Sequence, residues 1–411
     1  MNKVLLSHPT GNANVRAALD GLHSANMLHS FHTSVATYPN NIFGLLSKLP
    51  GGKEFLKRSY PVYNQQFTKQ YPYKELGRML CSKLKLRSPI IHEKGIFSVD
   101  EIYQSIDREV ANYIDRQNDM AGIYAYEDGA LASFQAAGKM GKICLYDLPI
   151  GYWRSMRRFL EKEKEEKPEW AMTLGGFKDS EAKLQRKDQE LALASRIYVA
   201  SSFTKKTLTE YPGLLAPVEV IPYGFPMANT GREYISPSDR KLRLLYVGGL
   251  SQRKGIAYLF DAIKGLEAYV ELTVVGRGDI EKCPALQKAL LQHRYISALP
   301  HQRILELMAS HDVLVFPSLF EGFGLVITEA MSQGTPVITT DRTCGPDIIQ
   351  HGENGWLIDA GTANAIREQI MYILESPQEI KRVGENALHT ATLRSWLQYG
   401  IELISSIQRN M

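Results

Sequence analysis

Short apolar runs alternate with helical patterns along most of the chain. Val4-Leu5-Leu6 reads as a buried strand, followed by a Gly/Asn loop and an amphipathic segment over residues 15–28. In the second half, residues 244–247, 271–275, 312–316 and 336–339 read as strands, with helices over 256–266 and around 325–333. Strand and helix in turn predict βαβ units and a parallel sheet with helices on both faces. Residues 222–241 carry three Pro and two Gly among polar residues and read as a domain boundary. The expectation is two doubly wound α/β domains facing across a cleft, over 1–222 and 242–394, joined by a linker at 223–241. The last strong pattern is Ser395-Trp396-Leu397-Gln398-Tyr399, with apolar residues continuing to Ile407. It predicts an amphipathic helix over 395–411, more than the second sheet needs, crossing back to cover the first domain; a plain terminal helix is the rival.

Composition narrows the picture. The chain has 411 residues, 44% hydrophobic and 22% charged, which suits two soluble globular domains. Lys+Arg 48 against Asp+Glu 44 leaves +4, too mild an excess for a dedicated nucleic-acid binder. No stretch approaches the ~20 apolar residues a spanning helix needs, and the first residues show no apolar run longer than Val4–Leu6, so no signal peptide is expected. Cys81, Cys144, Cys283 and Cys344 lie far apart with no CxxC pair, which favours buried thiols in a reducing compartment. The expected location is cytoplasmic, with at most a peripheral place on the inner face of a membrane.

The most informative stretch is DVLVFPSLFEGFGLVITEAMSQG, residues 312–334. A strand ends near Pro317, a loop holds Glu321-Gly322-Phe323-Gly324, and a helix begins near Leu325 and stops at Gly334, a residue suited to the left-handed end of a helix. Ligands of open α/β sheets bind outside the carboxyl ends of strands, where this loop sits. A helix N-terminus there seats a phosphate, and Gly322 and Gly324 carry no side chain to block backbone approach. Glu321 and Glu329 bracket the site, so one ligand with a charged middle and hydroxyls at both ends can touch both. A nucleotide sugar is such a ligand. A second loop, Gly248-Gly249-Leu250-Ser251-Gln252-Arg253-Lys254-Gly255, follows a strand and places Arg253 and Lys254 where a diphosphate can use them. The loop Thr10-Gly11-Asn12-Ala13-Asn14 holds the equivalent place after the first strand. Val274-Val275-Gly276-Arg277-Gly278-Asp279 starts like a dinucleotide fingerprint, but Glu281 stands at the third glycine, so the dehydrogenase reading fails.

Those residues carry a resemblance. FEGFGLVITEAMSQGTPVI with Glu321-(x7)-Glu329, preceded by YVGGLSQRKG and followed by GPDIIQHGENGWLI, resembles the retaining glycosyltransferases of family 4. The likeness runs from about Asp179 to Asp359, taking in VIPYGF; residues 1–178 fit more loosely. It implies a GT-B fold, two Rossmann-like domains, with the nucleotide sugar on the second and the acceptor on the first. By position, Glu321 would contact hydroxyls of the transferred sugar. Gly322, Phe323, Gly324 and Leu325 would offer backbone to sugar and phosphates, Glu329 would hold the ribose, and Lys254 would neutralise the diphosphate. Gly249 stands where many members have Arg, with Arg253 as a possible substitute, and Gly11 is the matching candidate across the cleft. Tyr146 stands where many have an acceptor-side histidine. That leaves Asp147 as the polar candidate against a buried or capping role, with Glu127-Asp128 a weaker one. No cofactor and no metal are expected, since side-chain cations and a helix dipole can stabilise the leaving diphosphate. Retention requires either a double displacement or attack from the leaving-group face; no carboxylate stands out as a nucleophile, and the resemblance favours front-face transfer, with a diphosphate oxygen taking the acceptor proton.

The acceptor side is less specific. Residues 51–87 carry nine Lys/Arg against Glu54 and Glu75, interleaved with six Phe/Tyr. That pattern suits an acidic glycan, a lipid diphosphate or an anionic membrane surface; it also suits single-stranded nucleic acid or a solvated helical face. The expected activity is transfer of a hexose from a UDP-sugar, with GDP-sugar second, to a glycan or lipid-linked glycan in bacterial surface polysaccharide assembly. The alternatives are a GT-B sugar-nucleotide epimerase and a non-enzymatic, membrane-peripheral binding protein.

Overall fold

The computed structural model describes residues 2–411. The first sheet comprises β1 (Val4–Ser7), β2 (Leu28–Thr33), β3 (Thr68–Gln70), β4 (Gly122–Tyr126), β5 (Ile143–Leu148), β6 (Arg196–Val199) and β7 (Val218–Val220). Their order across the sheet is β3-β2-β1-β4-β5-β6-β7, and every pairing is parallel. The second sheet comprises β8 (Leu242–Val247), β9 (Val270–Val275), β10 (Arg294–Ile296), β11 (Val313–Phe316), β12 (Val337–Thr340) and β13 (Trp356–Ile358), in the order β10-β9-β8-β11-β12-β13. Each sheet reverses direction beside its first strand, the place where doubly wound sheets open a crevice. The central strands are buried on both faces: Val4, Leu5 and Leu6 are inaccessible, as are Val313, Leu314 and Val315. This is why they read as continuous apolar runs instead of alternating ones.

Helices cover both faces of each sheet. The Ala13–Ser24 helix follows β1, and the Leu325–Ser332 helix follows β11 and ends on Gly334 at φ +70°, the left-handed turn that glycine adopts without strain. The Trp396–Arg409 helix leaves the second sheet's region and packs on the Ala13–Ser24 helix. The two axes approach closely because Gly400 and Gly21 face one another; a Cβ on Gly400 would sit 2.9 Å from the Ala17 carbonyl oxygen. Ser395 caps its N-terminus by accepting the Gln398 N–H at 3.2 Å.

The two halves meet along a hydrogen-bonded seam. The Gly322 carbonyl accepts the Ser201 hydroxyl at 2.6 Å and the Thr204 hydroxyl at 2.9 Å. The Ser202 N–H donates to the Asp347 carboxylate at 2.9 Å. A second crossing is made by the Trp153–Glu166 helix and the Pro168–Thr173 turn, which leave the first sheet and lay Trp170 against Phe260 of the second half, ring centroids 6.0 Å apart. Among the described residues no helix is long and apolar enough to cross a membrane.

Candidate functional site

A cleft of about 600 Å³ lies between the carboxyl ends of the two sheets, walled by His8, Tyr126 and Pro149 on one side and by Gly248, Lys254 and Glu321 on the other. β11 delivers the polypeptide to the cleft floor and the Leu325–Ser332 helix carries it away. Between them Glu321 is buried at 8% exposure. Its Oε1 meets Lys254 Nζ, lies 3.2 Å from Arg253 Nη1 and accepts the Ser318 hydroxyl at 3.2 Å. Arg253 also donates to the Phe320 carbonyl at 2.7 Å, which ties the two loops together. Burial, reinforced by the neighbouring Arg253, lowers the Lys254 ammonium below the ordinary lysine range, and burial lowers Arg253 as well. A buried carboxylate beside two dehydrated cations is an arrangement suited to an anionic ligand that can take over the cations.

The glycines of this loop divide their roles. Gly324 is the N-cap of the helix at φ +93°, ψ +63°, a conformation costly to residues with a Cβ. The N–H groups of the first turn beyond it lack partners within the helix. Gly322 also has a role that the sequence did not suggest: a Cβ there would collide with the Pro149 carbonyl oxygen of the first half. Its glycine permits the seam between the halves as well as the cleft it also lines.

Arg253, Lys254, Glu321, Gly322, Phe323, Gly324 and Leu325 all line the cleft. Four expected residues do not. Glu329 lies one turn into the same helix, and its carboxylate is 2.9 Å from His301 Nε2. Gly249 turns away, its carbonyl accepting the Tyr246 hydroxyl at 2.8 Å. Gly11 packs under Tyr60, and Arg16 Nε donates to its carbonyl at 2.8 Å. Asp147 requires a correction of place. It sits beneath the cleft wall at 3% exposure, accepting the Tyr124 hydroxyl at 2.6 Å, and burial pushes its carboxyl up to about 7. Tyr146 is likewise enclosed and donates to Glu190 at 3.0 Å. Glu127 is buried in an ion pair with Lys187 at 3.2 Å.

The first half contributes groups that sequence reasoning passed over. His8 immediately follows β1 and is 4% exposed; the Thr10 N–H donates to its Nδ1 at 3.0 Å, and its Nε2 lies 3.4 Å from the Tyr103 hydroxyl. Burial lowers its imidazole to about 4, so it is neutral near pH 7. Tyr126 lines the cleft beside it, and its hydroxyl has no hydrogen-bond partner among the described residues. Asn14, from the stretch after the first strand singled out in the sequence, donates to Tyr223 at 3.3 Å, and the Tyr223 ring packs at a tilt on Phe323 with centroids 4.9 Å apart, so the linker between the halves forms part of the wall. The signal for His8 was its place at the carboxyl end of the first strand. Tyr103 and Tyr223 arrive from helices and linkers that no local pattern points into a cleft.

Residues 232–390 match the family model described as glycosyl transferases group 1. The chain is 33% identical over 139 residues to phosphatidyl-myo-inositol mannosyltransferase from Mycobacterium leprae, an alignment spanning 32% of this chain and 37% of that protein. Alignments with the first three curated relatives reach 37%, 57% and 43% of their lengths. Among solved structures, sucrose-phosphate synthase from Thermosynechococcus elongatus superposes with a TM-score of 0.66 at 18% identity, covering 100% of this chain and 99% of that one. HepE from Anabaena in complex with UDP-glucose superposes with a TM-score of 0.62 at 16% identity, covering 100% of both chains. The chain therefore has the two-domain GT-B architecture, and the likeness to the group 1 model covers residues 232–390.

Proposed function

We propose that this protein is a retaining glycosyltransferase that moves a hexose from a nucleotide diphosphate sugar, UDP-linked first and GDP-linked second, to a glycan or lipid-linked glycan. The observation that carries the reading is Glu321 on the cleft floor, against Lys254 and Arg253 and just before the Leu325–Ser332 helix N-terminus. A diphosphate entering between the two loops offers the cations a better counter-charge and frees Glu321 to accept hydrogen bonds from sugar hydroxyls. The cations and the helix dipole then stabilise the departing diphosphate without a metal ion. Transfer proceeds on the leaving-group face, a diphosphate oxygen receiving the acceptor proton. The group 1 match and the UDP-glucose complex of a structural neighbour support the donor class. Neither favours the epimerase or the non-enzymatic alternative.

The acceptor enters from the His8 side, and we place the reaction at the inner face of a bacterial membrane, in surface polysaccharide assembly. Around the basic stretch 51–87, Leu56, Leu80, Leu84 and Leu86 are all exposed, next to Lys53, Lys57, Lys83, Lys85 and Arg87. A Cβ at Gly51 would lie 3.4 Å from Lys83 Nζ, which joins this surface to exposed Leu45 and Leu49. Apolar side chains among lysines suit an anionic lipid surface. The test of the function is transfer of radiolabelled sugar from UDP-glucose or GDP-mannose to lipid-linked glycan extracted from bacterial membranes, with the product's anomeric configuration read by NMR. Hydrolysis alone with every acceptor, or inversion at the anomeric carbon, contradicts the proposal.

A further inference from the structure

The loop that presents Arg253 and Lys254 to the cleft is not held by its own domain alone. The Trp153–Glu166 helix is rooted in the first half: the Tyr152 N–H donates to the Thr207 hydroxyl at 2.8 Å, the Ser155 hydroxyl to the Thr207 carbonyl at 2.9 Å, and Trp153 Nε1 to Asp188 at 2.7 Å. At its far end Glu163, 3% exposed, reaches into the second half. Its Oε2 accepts Gln252 Nε2 at 2.9 Å and the Tyr258 hydroxyl at 3.1 Å. Gln252 is fully buried, and its Oε1 accepts the Ala257 N–H at 3.2 Å, hooking the loop to the start of the next helix. From the turn after Glu163, the Thr173 hydroxyl oxygen accepts the Gln252 backbone N–H at 2.9 Å. Lys167 adds an ion pair to Asp261 at 2.7 Å. Both the backbone and the side chain of the residue just before Arg253-Lys254 are therefore fixed by the acceptor-side domain.

A carboxylate is a costly group to bury, and among the described residues Glu163 makes no ion pair within 4 Å that would offset the cost. An apolar contact would join two domains at less expense. What the carboxylate supplies is direction, since it accepts from a side-chain amide that cannot rotate without losing both this bond and the one to Ala257.

We infer that Glu163 and Gln252 are positioning residues for the donor: through them the first domain sets the place of Arg253 and Lys254, and so the affinity for the second phosphate of the nucleotide. The inference rests on the nucleotide-sugar reading of the cleft. It makes diphosphate binding depend on the seating of one domain against the other, and it requires the effect to be confined to the phosphates.

The test is calorimetric titration of the full-length protein with UDP and with UMP, which lacks the distal phosphate, substituting GDP and GMP if those bind instead. The chains compared are the parent, Gln252→Glu, Glu163→Gln and the double variant carrying both. Gln252→Glu sets two carboxylates against each other and is expected to weaken UDP about tenfold or more while changing UMP less than about twofold. The double variant restores the amide–carboxylate pair in reverse and is expected to bring UDP back within about threefold of the parent. Equal weakening of UDP and UMP, or no recovery in the double variant, overturns the positioning role and leaves the donor reading standing. A parent protein that does not distinguish diphosphate from monophosphate overturns both.

Discussion

Lys254 Nζ rests on Glu321 Oε1 across the floor of the cleft, joining the loop after β8 to the loop after β11. The pair keeps both charges satisfied where water is scarce, and it makes each group's role depend on the other. On the proposed reading, donor binding exchanges this internal ion pair for a cation–diphosphate contact. Glu321→Ala is then expected to lower turnover about 10²–10³-fold, the cost of losing one aligned polar contact to the reacting sugar, while UDP affinity stays within a few-fold. Lys254→Ala is expected to do the reverse on binding, weakening UDP by about 1–3 kcal/mol. Steady-state rates and titrations on both variants check this; loss of UDP affinity in Glu321→Ala with unchanged turnover would contradict it.

Glu329 makes a separate prediction, because the carboxylate is engaged by His301 outside the cleft wall. If it holds the ribose in the complex, it must leave His301 to do so. Glu329→Ala should weaken UDP by about 1–3 kcal/mol, because a buried hydroxyl would lose its acceptor. His301→Ala should leave UDP as tight or tighter. Unchanged affinity in Glu329→Ala would remove this residue from the donor site.

Asp147 is distinguished from a catalytic group by pH. Burial disfavours the charged form and pushes its folded carboxyl up to about 7, from an ordinary aspartate value of about 3.8. The folded state therefore binds more protons than the unfolded state between those limits, and stability from this group is complete below pH 4 and lost as pH rises through 7. Asp147→Asn keeps an acceptor for the Tyr124 hydroxyl and removes the titration. It should flatten the fall in stability between about pH 4 and 7, raise the melting temperature at pH 8, and leave turnover within a few-fold. A thousandfold loss of turnover with an unchanged pH–stability profile would return Asp147 to the chemistry.

Gly322→Ala tests the seam. The added methyl has the Pro149 carbonyl in its way, so the halves must part or the loop must shift, at about 1–3 kcal/mol for overpacking. The expected result is a lower melting temperature together with reduced turnover. Wild-type values for both would mean that the seam opens freely in solution.

Much of the second half was legible because its strands are buried on both faces and its loops follow them at once: residues 312–334 contain a strand, a loop, a capping glycine and a terminating glycine in order. Glu321, Arg253 and Lys254 could be placed in one cleft from that local grammar. The first half was harder to read. Asp147 is the penultimate residue of β5 and lies opposite Tyr126, the last residue of β4, and nothing in the sequence says that one lies under the wall while the other forms it. Glu329 has the helical spacing of a ligand residue, yet its partner His301 comes from a different helix. Glu163 lay in a run of alternating charges that reads as solvated, and only the tertiary crossing of its helix buries it. Long-range contacts of this kind leave no periodic trace.

The most direct test of the central claim is a thermal-shift panel on the full-length protein with UDP, GDP, ADP, CMP and dTDP, each in Mg²⁺ and in EDTA. A ligand that binds only the native state at 100 times its Kd adds about 2.7 kcal/mol of stability, enough to separate one nucleotide from the rest. A selective rise is expected with UDP, or with GDP in its place, of the same size in Mg²⁺ and in EDTA, and smaller in Lys254→Ala. No rise with any nucleotide, or one that EDTA abolishes, would contradict it.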